Sequence, residues 1–141
     1  SYIISEKEVS LLTENVEKLA SISKKFNFVA LISNQPQIAM GLTSWQSVIR
    51  LNGEIIKLCL NKNLLISCFY ICPHHPHAGF PKEDKSLKVN CFCRKPNPGM
   101  FFEASYNRNI DLNNSLMIGD SEADRMAAGN AGVPFKSINL I

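Results

Sequence analysis

Six cysteine and histidine side chains, Cys72, His74, His75, His77, Cys91 and Cys93, fall in one stretch otherwise rich in proline and lysine. The pairs Cys72-x-His74 and Cys91-x-Cys93 enclose sixteen residues. Three thiolates and one imidazole complete a tetrahedral zinc set with no open position, which is a structural site and not a catalytic one. The plainer reading makes Cys72 a small hydrophobe at a strand end and Cys91 and Cys93 incidental loop thiols. His75 and His77 read as solvent or phosphate neighbours. Directly after Cys93 come Arg94-Lys95-Pro96-Asn97-Pro98-Gly99, in which the prolines restrict the backbone of Lys95 and Asn97. Arg grips phosphate as a fork and Lys offers a compact point charge, so a stiffened pair suits phosphoryl recognition. As a loop pair it could equally be solvated.

Gly119-Asp120 ends a short apolar run, with Asp124 four residues on. Carboxylate oxygens with water and phosphate are what Mg2+ prefers, and Asp120, ahead of the helix, is the better ligand candidate. Glu122 and Asp124 could instead complement the helix dipole. Ser33-Asn34-Gln35 forms a third polar group at the end of an apolar run.

These groups must be carried by regular elements. Ser5 and Glu8 make a capping box ahead of Val9, Leu12, Val16, Leu19 and Ile22, predicting a helix over 6–25. Phe26 to Ser33 reads as a buried strand. Thr43 and Gln46 make a second capping box for a helix over 44–61, and Leu64 to Ile71 is the next strand. Residues 72–97 lack periodicity and read as an ordered, functional or metal-pinned loop. Asn97-Pro98 starts a helix to Asn109. A strand over 115–118, a helix over 121–130 closed near Gly132 and a strand over 135–140 complete the chain. Alternating strands and helices predict an α/β fold with a doubly wound, mostly parallel sheet, in which the three polar groups gather at the carboxyl ends of the strands.

At 141 residues and 45% hydrophobic, the chain has the size and composition of one soluble globular domain, 1–141, with the loop as an insertion. The net charge of +3 is scattered, which argues against a nucleic-acid footprint. The longest apolar run, Leu64 to Cys72, is far short of the ~20 residues that span a membrane. Five cysteines without a visible secretory signal favour reduced thiols and a metal over disulfides.

Taken in order, Ser33-Asn34-Gln35-Pro36 with Ile38-Ala39 and Gly41, then Cys72-Pro73-His74-His75-Pro76, Cys91-x-Cys93-Arg94-Lys95-Pro96-x-Pro98-Gly99-Met100 and Gly119-Asp120-x3-Asp124, resemble the haloacid dehalogenase (HAD) superfamily. More closely they are similar to the D-glycero-D-manno-heptose 1,7-bisphosphate 7-phosphatase and histidinol-phosphate phosphatase families. The resemblance implies that Ser33 hydrogen-bonds the transferring phosphoryl group and that Asn34, Gln35 and Pro36 line the substrate site. It implies that Lys95 neutralises the moving charge, Arg94 recognises substrate, Asp120 holds Mg2+, and Cys72, His74, Cys91 and Cys93 bind zinc. It further implies a cytoplasmic enzyme acting on a phosphosugar in heptose synthesis for lipopolysaccharide core or S-layer, while the scattered charge and short apolar runs predict no nucleic-acid or membrane partner.

The family opens with a strand ending in Asp-x-Asp-Gly-Thr, whose first Asp attacks phosphorus. Nothing before Ser33 matches it, and no Asp precedes Asp84. Gln37, Met40 and Ser121 also depart from the family pattern. The expectation is therefore a stretch of a longer parent polypeptide that supplies the first strand. The alternatives are a histidinol-phosphate phosphatase and a catalytically dead zinc-loop domain.

Overall fold

The computed structural model describes residues 14–76 and 79–141. The predicted capping box at Ser5 and Glu8, the first turns of the helix over 6–25, and His77 lie outside the described residues. The chain divides into two compact units, one ending at Asn90 and one running Cys91–Ile141.

In the first unit, helix α1 is Val16–Ser23, strand β1 is Ala30–Asn34, helix α2 is Trp45–Leu60 and strand β2 is Cys68–Cys72. Val16 and Ala20 of α1 lie one helical turn apart and bury against Ile55 and Cys59 of α2 together with Leu64 and Ile66. Burial raises the Cys59 thiol pKa, as befits a core residue. β1 and β2 pair in parallel from Ala30 with Cys68 to Asn34 with Cys72.

Both strands start four residues later than the apolar runs suggest. Val29, Leu64 and Ile66 pack into the helix core instead, although Val29 O still accepts from Ser67 N at 2.8 Å just ahead of the ladder. α2 also starts differently. Ser44, not Thr43, is the N-cap, because its extended backbone lets its Oγ accept from Ser47 N at 3.1 Å.

In the second unit, helix α3 is Gly99–Arg108, strand β3 is Met117–Gly119, helix α4 is Glu122–Ala131 and strand β4 is Phe135–Ser137. β3 and β4 are parallel. The expected single parallel sheet is thus described as two parallel pairs. α4 buries Ala127, Ala128 and Ala131, small side chains that let neighbouring backbone come close. It ends at Gly132, which is left-handed at φ 73° as expected. Asn97 does not cap α3: Pro98 holds that position, and the Asn97 side chain donates to the Cys91 carbonyl at 2.9 Å. The last strand stops at Ser137, whose Oγ accepts from Asn139 N and turns the chain into a short 3-10 helix. No helix among the described residues is long and apolar enough to cross a membrane.

The long loop after β2 folds back on the turn after β1. Asp84 N donates to Ala39 O at 2.7 Å, and Glu83 accepts from Gly79 N and Phe80 N. Gly41 has φ +75°, and a Cβ there would sit 1.6 Å from the Lys82 carbonyl oxygen. Gly41→Ala therefore has to displace backbone and adopt a disfavoured φ, with an expected loss of at least about 2 kcal/mol in urea unfolding. Gly53 is helical and meets nothing within 4 Å, so Gly53→Ala in the same assay is expected to gain up to about 1 kcal/mol.

Candidate active site and metal centre

β1 ends by burying Ser33, 1% exposed, and Asn34. The parallel pairing continues one residue further, with Gln35 N donating to Cys72 O at 2.7 Å. Gln35 is fully buried, and its Nε2 donates to Ser33 Oγ at 2.7 Å. Pro36, also buried, opens the turn that follows.

Cys72, the last residue of β2, is fully buried, and its Sγ lies 3.5 Å from His74 Nδ1. Partial burial lowers the His74 pKa, favouring the neutral imidazole that ligates metals. The sulfurs of Cys91 and Cys93 are 3.4 Å apart, and Arg94 N donates to Cys91 Sγ at 3.3 Å. Cys72 with His74 in the first unit and Cys91 with Cys93 in the second are thus each a close donor pair. Tetrahedral zinc with bonds of about 2.0–2.3 Å has ligand–ligand edges of about 3.5–3.8 Å, so the donor set suits that ion. His75 is placed elsewhere: its ring meets Phe80 edge-on at 5.6 Å.

Within the second unit, Lys95 is 3% and Asp124 1% exposed, and the ammonium donates to the carboxylate as a buried ion pair. The Lys95–Pro96 peptide is cis, and Asn130 Nδ2 ties the Pro96 carbonyl to α4 at 3.0 Å. Asp124 also accepts from Asp120 N and Ser121 N, while Ser121 Oγ accepts from Asp124 N, a reciprocal capping box. Burial acts to raise the Asp124 pKa, but the Lys95 charge and hydrogen bond outweigh it and hold it down at about 2. A Cβ on Gly119 would meet Asp124 Oδ2 at 2.6 Å, so glycine ends β3 where the carboxylate must pass.

Asp120 stands exposed beyond β3, and Arg94 is half-buried. Sequence reasoning named Lys95 but left Asp124 to the helix dipole. The signal it passed over was a carboxylate at the N3 position behind a serine cap, four residues after Gly-Asp.

A HAD-hydrolase-like family model matches residues 92–136. The chain is 34% identical over 135 residues to a D-glycero-beta-D-manno-heptose-1,7-bisphosphate 7-phosphatase of Vibrio cholerae, covering 96% of this chain and 70% of that one. It is 31% identical to the corresponding alpha-specific phosphatase of Burkholderia mallei, covering 92% and 67%. Among solved structures, D,D-heptose 1,7-bisphosphate phosphatase of B. bronchiseptica, complexed with magnesium and phosphate, superposes with a TM-score of 0.69 at 26% identity, covering 85% of this chain and 61% of that one. A HAD-like phosphatase candidate from Mesorhizobium loti superposes with a TM-score of 0.76 at 28% identity, covering 86% and 56%. The chain thus spans between just over half and 70% of the length of these relatives.

Removing one partner of a buried pair strands the other charge. Asp124→Asn is accordingly expected to cost about 3 kcal/mol at pH 7 by urea unfolding. Because the folded pKa of Asp124 is depressed, its stabilisation is complete above about pH 4 and fades as pH falls towards 2. Its share of the acid loss, about 2 kcal/mol, should be missing from the variant. With relatives at 31–34% identity matched along nearly the whole of these 141 residues, and an α/β frame shared with solved relatives, the chain belongs to the HAD-like D-glycero-D-manno-heptose 1,7-bisphosphate 7-phosphatase family.

Proposed function

We propose that this chain is the phosphoryl-handling part of a phosphatase that removes the 7-phosphate of D-glycero-D-manno-heptose 1,7-bisphosphate. The observation that carries the reading is a desolvated lysine held by a carboxylate, in a chain whose relatives at 31–34% identity are named as phosphatases of the beta or the alpha anomer of that compound. Phosphoryl transfer needs little covalent help from the protein; it is catalysed by positioning and charge stabilisation. Ser33 hydrogen-bonds the transferring phosphoryl group, Lys95 neutralises its oxygens, and Arg94 grips a phosphate as a fork. Asn34, Gln35 and Pro36 line the sugar side. Asp120 offers an oxygen to Mg2+, which would supply further charge neutralisation at the phosphoryl oxygens.

Cys72, His74, Cys91 and Cys93 hold zinc with no position left for water, so the ion fixes the loop and does no chemistry. The second reading is a zinc-loop domain that binds phosphosugars without turnover.

Phosphate release from the bisphosphate in Mg2+ buffer separates the two, measured for the chain alone and for the chain preceded by a strand ending in Asp-x-Asp-Gly-Thr. Release by the second protein only, lowered about 100-fold or more in kcat by Lys95→Met, is the expected result. Binding without release by either protein selects the non-catalytic reading. Elemental analysis should find one zinc per chain. Stripping it with a chelator, or Cys91→Ser, should lower the unfolding temperature by several degrees or more.

A further inference from the structure

The five cysteines differ in what can reach them. Cys59 and Cys72 are buried, 3% and 0% exposed, and burial raises the Cys59 thiol pKa, so both are shielded from a dissolved oxidant. Cys91 and Cys93 are half-buried in a segment that reaches the surface, since Phe92 between them is 61% exposed. Their sulfurs lie 3.4 Å apart. A disulfide bond is about 2.05 Å long, so about 1.4 Å remains to be closed. The backbone bends over 92–94 and is tied there, with Asn97 Nδ2 donating to Cys91 O and Gly99 N to Phe92 O, each at 2.9 Å. A Cβ on Gly99 would meet Phe92 O at 2.4 Å, so glycine is what lets α3 start against this bend. These ties keep the two sulfurs on one side of the bend and beside each other. A thiolate that ligates zinc keeps a lone pair, so a closed metal set leaves both sulfurs nucleophilic towards a reagent from solution.

We propose that Cys91 and Cys93 are an oxidation site: a hydroperoxide joins them in a disulfide, which withdraws two of the four zinc donors and releases the metal. One thiolate attacks the peroxide, its sulfur bonding to one oxygen as the O–O bond breaks, and the departing oxygen takes up a proton and leaves as water or an alcohol. That sulfur, oxidised by two electrons, is now a sulfenic acid. The second thiolate attacks it; the S–S bond forms, the S–O bond breaks, and the oxygen leaves with a proton as water. Two thiols and one hydroperoxide thus give one disulfide, one water, and a second water or an alcohol. A thiol 3.4 Å away traps the sulfenic acid before more peroxide can carry it to the irreversible sulfinic acid, so a dithiol reductant restores the pair. The disulfide is independent of the phosphatase reading, and only the release of metal rests on the zinc set.

Trypsin, cutting after Lys88 and Arg94, isolates Val89–Arg94, a peptide that carries Cys91 and Cys93 and no other cysteine. The test treats the zinc-loaded protein with hydrogen peroxide, blocks the remaining thiols with iodoacetamide in denaturant and maps the tryptic peptides by mass, while a chromogenic chelator follows the zinc. Val89–Arg94 is expected unblocked and lighter by two hydrogens, formed about 10-fold or more faster than any oxidation of Cys59 or Cys72. One zinc should appear per disulfide, and dithiothreitol should restore both thiols. Val89–Arg94 joined to the peptide that holds Cys72, sulfinic acid at either position, or oxidation no faster than that of the buried thiols overturns the site. Zinc retained beside the disulfide, or a protein that takes up no zinc, overturns the release. In Cys93→Ser a sulfenic acid should persist on Cys91 and be captured by dimedone, where the wild type gives little adduct; equal labelling of the two overturns the trapping step. The wild-type map decides even if the variant folds poorly. Thiols and metal are what the experiment reads, so each outcome leaves the phosphatase reading standing.

Discussion

The second unit is organised around a charge pair that water never reaches. Burying an ammonium and a carboxylate costs several kcal/mol per ion unless each is paired and its remaining hydrogen-bonding capacity is met. Asp124 satisfies that condition by accepting from Lys95, from Asp120 N and from Ser121 N, and so joins the loop before α3 to the start of α4. The pair also explains its surroundings. Gly119 is bare where the carboxylate passes, and Ser121 returns a cap that locks the first turn of α4. An apolar pair of like volume would serve stability as well or better, so the cost of keeping the ions points to a use for the positive charge.

The loop after β2 shows how an irregular segment can be held without a ladder. Its stretch beyond the first histidines is fastened by side chains acting on backbone, Glu83 on Gly79 and Phe80 and Asp84 on Ser86, and by the Lys88–Glu83 ion pair between side chains. Its two ends carry thiol and imidazole donors, Cys72 with His74 and Cys91 with Cys93. These fastenings are of different kinds. The carboxylate caps are local and close to solvent, whereas a metal held by donors seventeen apart in sequence would count as folding free energy.

Much of this was legible in the sequence, for physical reasons that differ by residue. The four candidate metal donors stand out in the sequence because few roles require Cys-x-His and Cys-x-Cys at either end of one loop. α4 and its glycine stop were readable because N-cap and C-cap chemistry is local. The strand starts were not, since Phe26–Val29 and Leu64–Ser67 are as apolar as the residues that pair, and only the parallel register of Ala30 with Cys68 separates them. Nor was the choice of Ser44 over Thr43, because both carry the hydroxyl and the decision lies in backbone dihedrals. Asp124 was hidden by its own ordinariness: an acidic residue in a first helical turn has a sufficient local explanation, and its partner is 29 residues away.

Lys95 follows two residues after Cys93 and is the first residue of a cis Lys-Pro step. Its side chain has four rotatable carbons, so a charge placed by the backbone alone would wander over several ångströms. The Cys91–Cys93 turn is braced by Arg94 N on Cys91 Sγ, and Asn97 returns to the Cys91 carbonyl. These contacts fix where the lysine side chain starts, and Asp124 fixes where it ends. A cation restrained at both ends loses little further entropy when an anionic group arrives. Flexibility that would be harmless in a surface lysine would here cost both affinity and charge stabilisation. The braces on either side of Lys95 thus fit a residue whose task is to hold positive charge at one point.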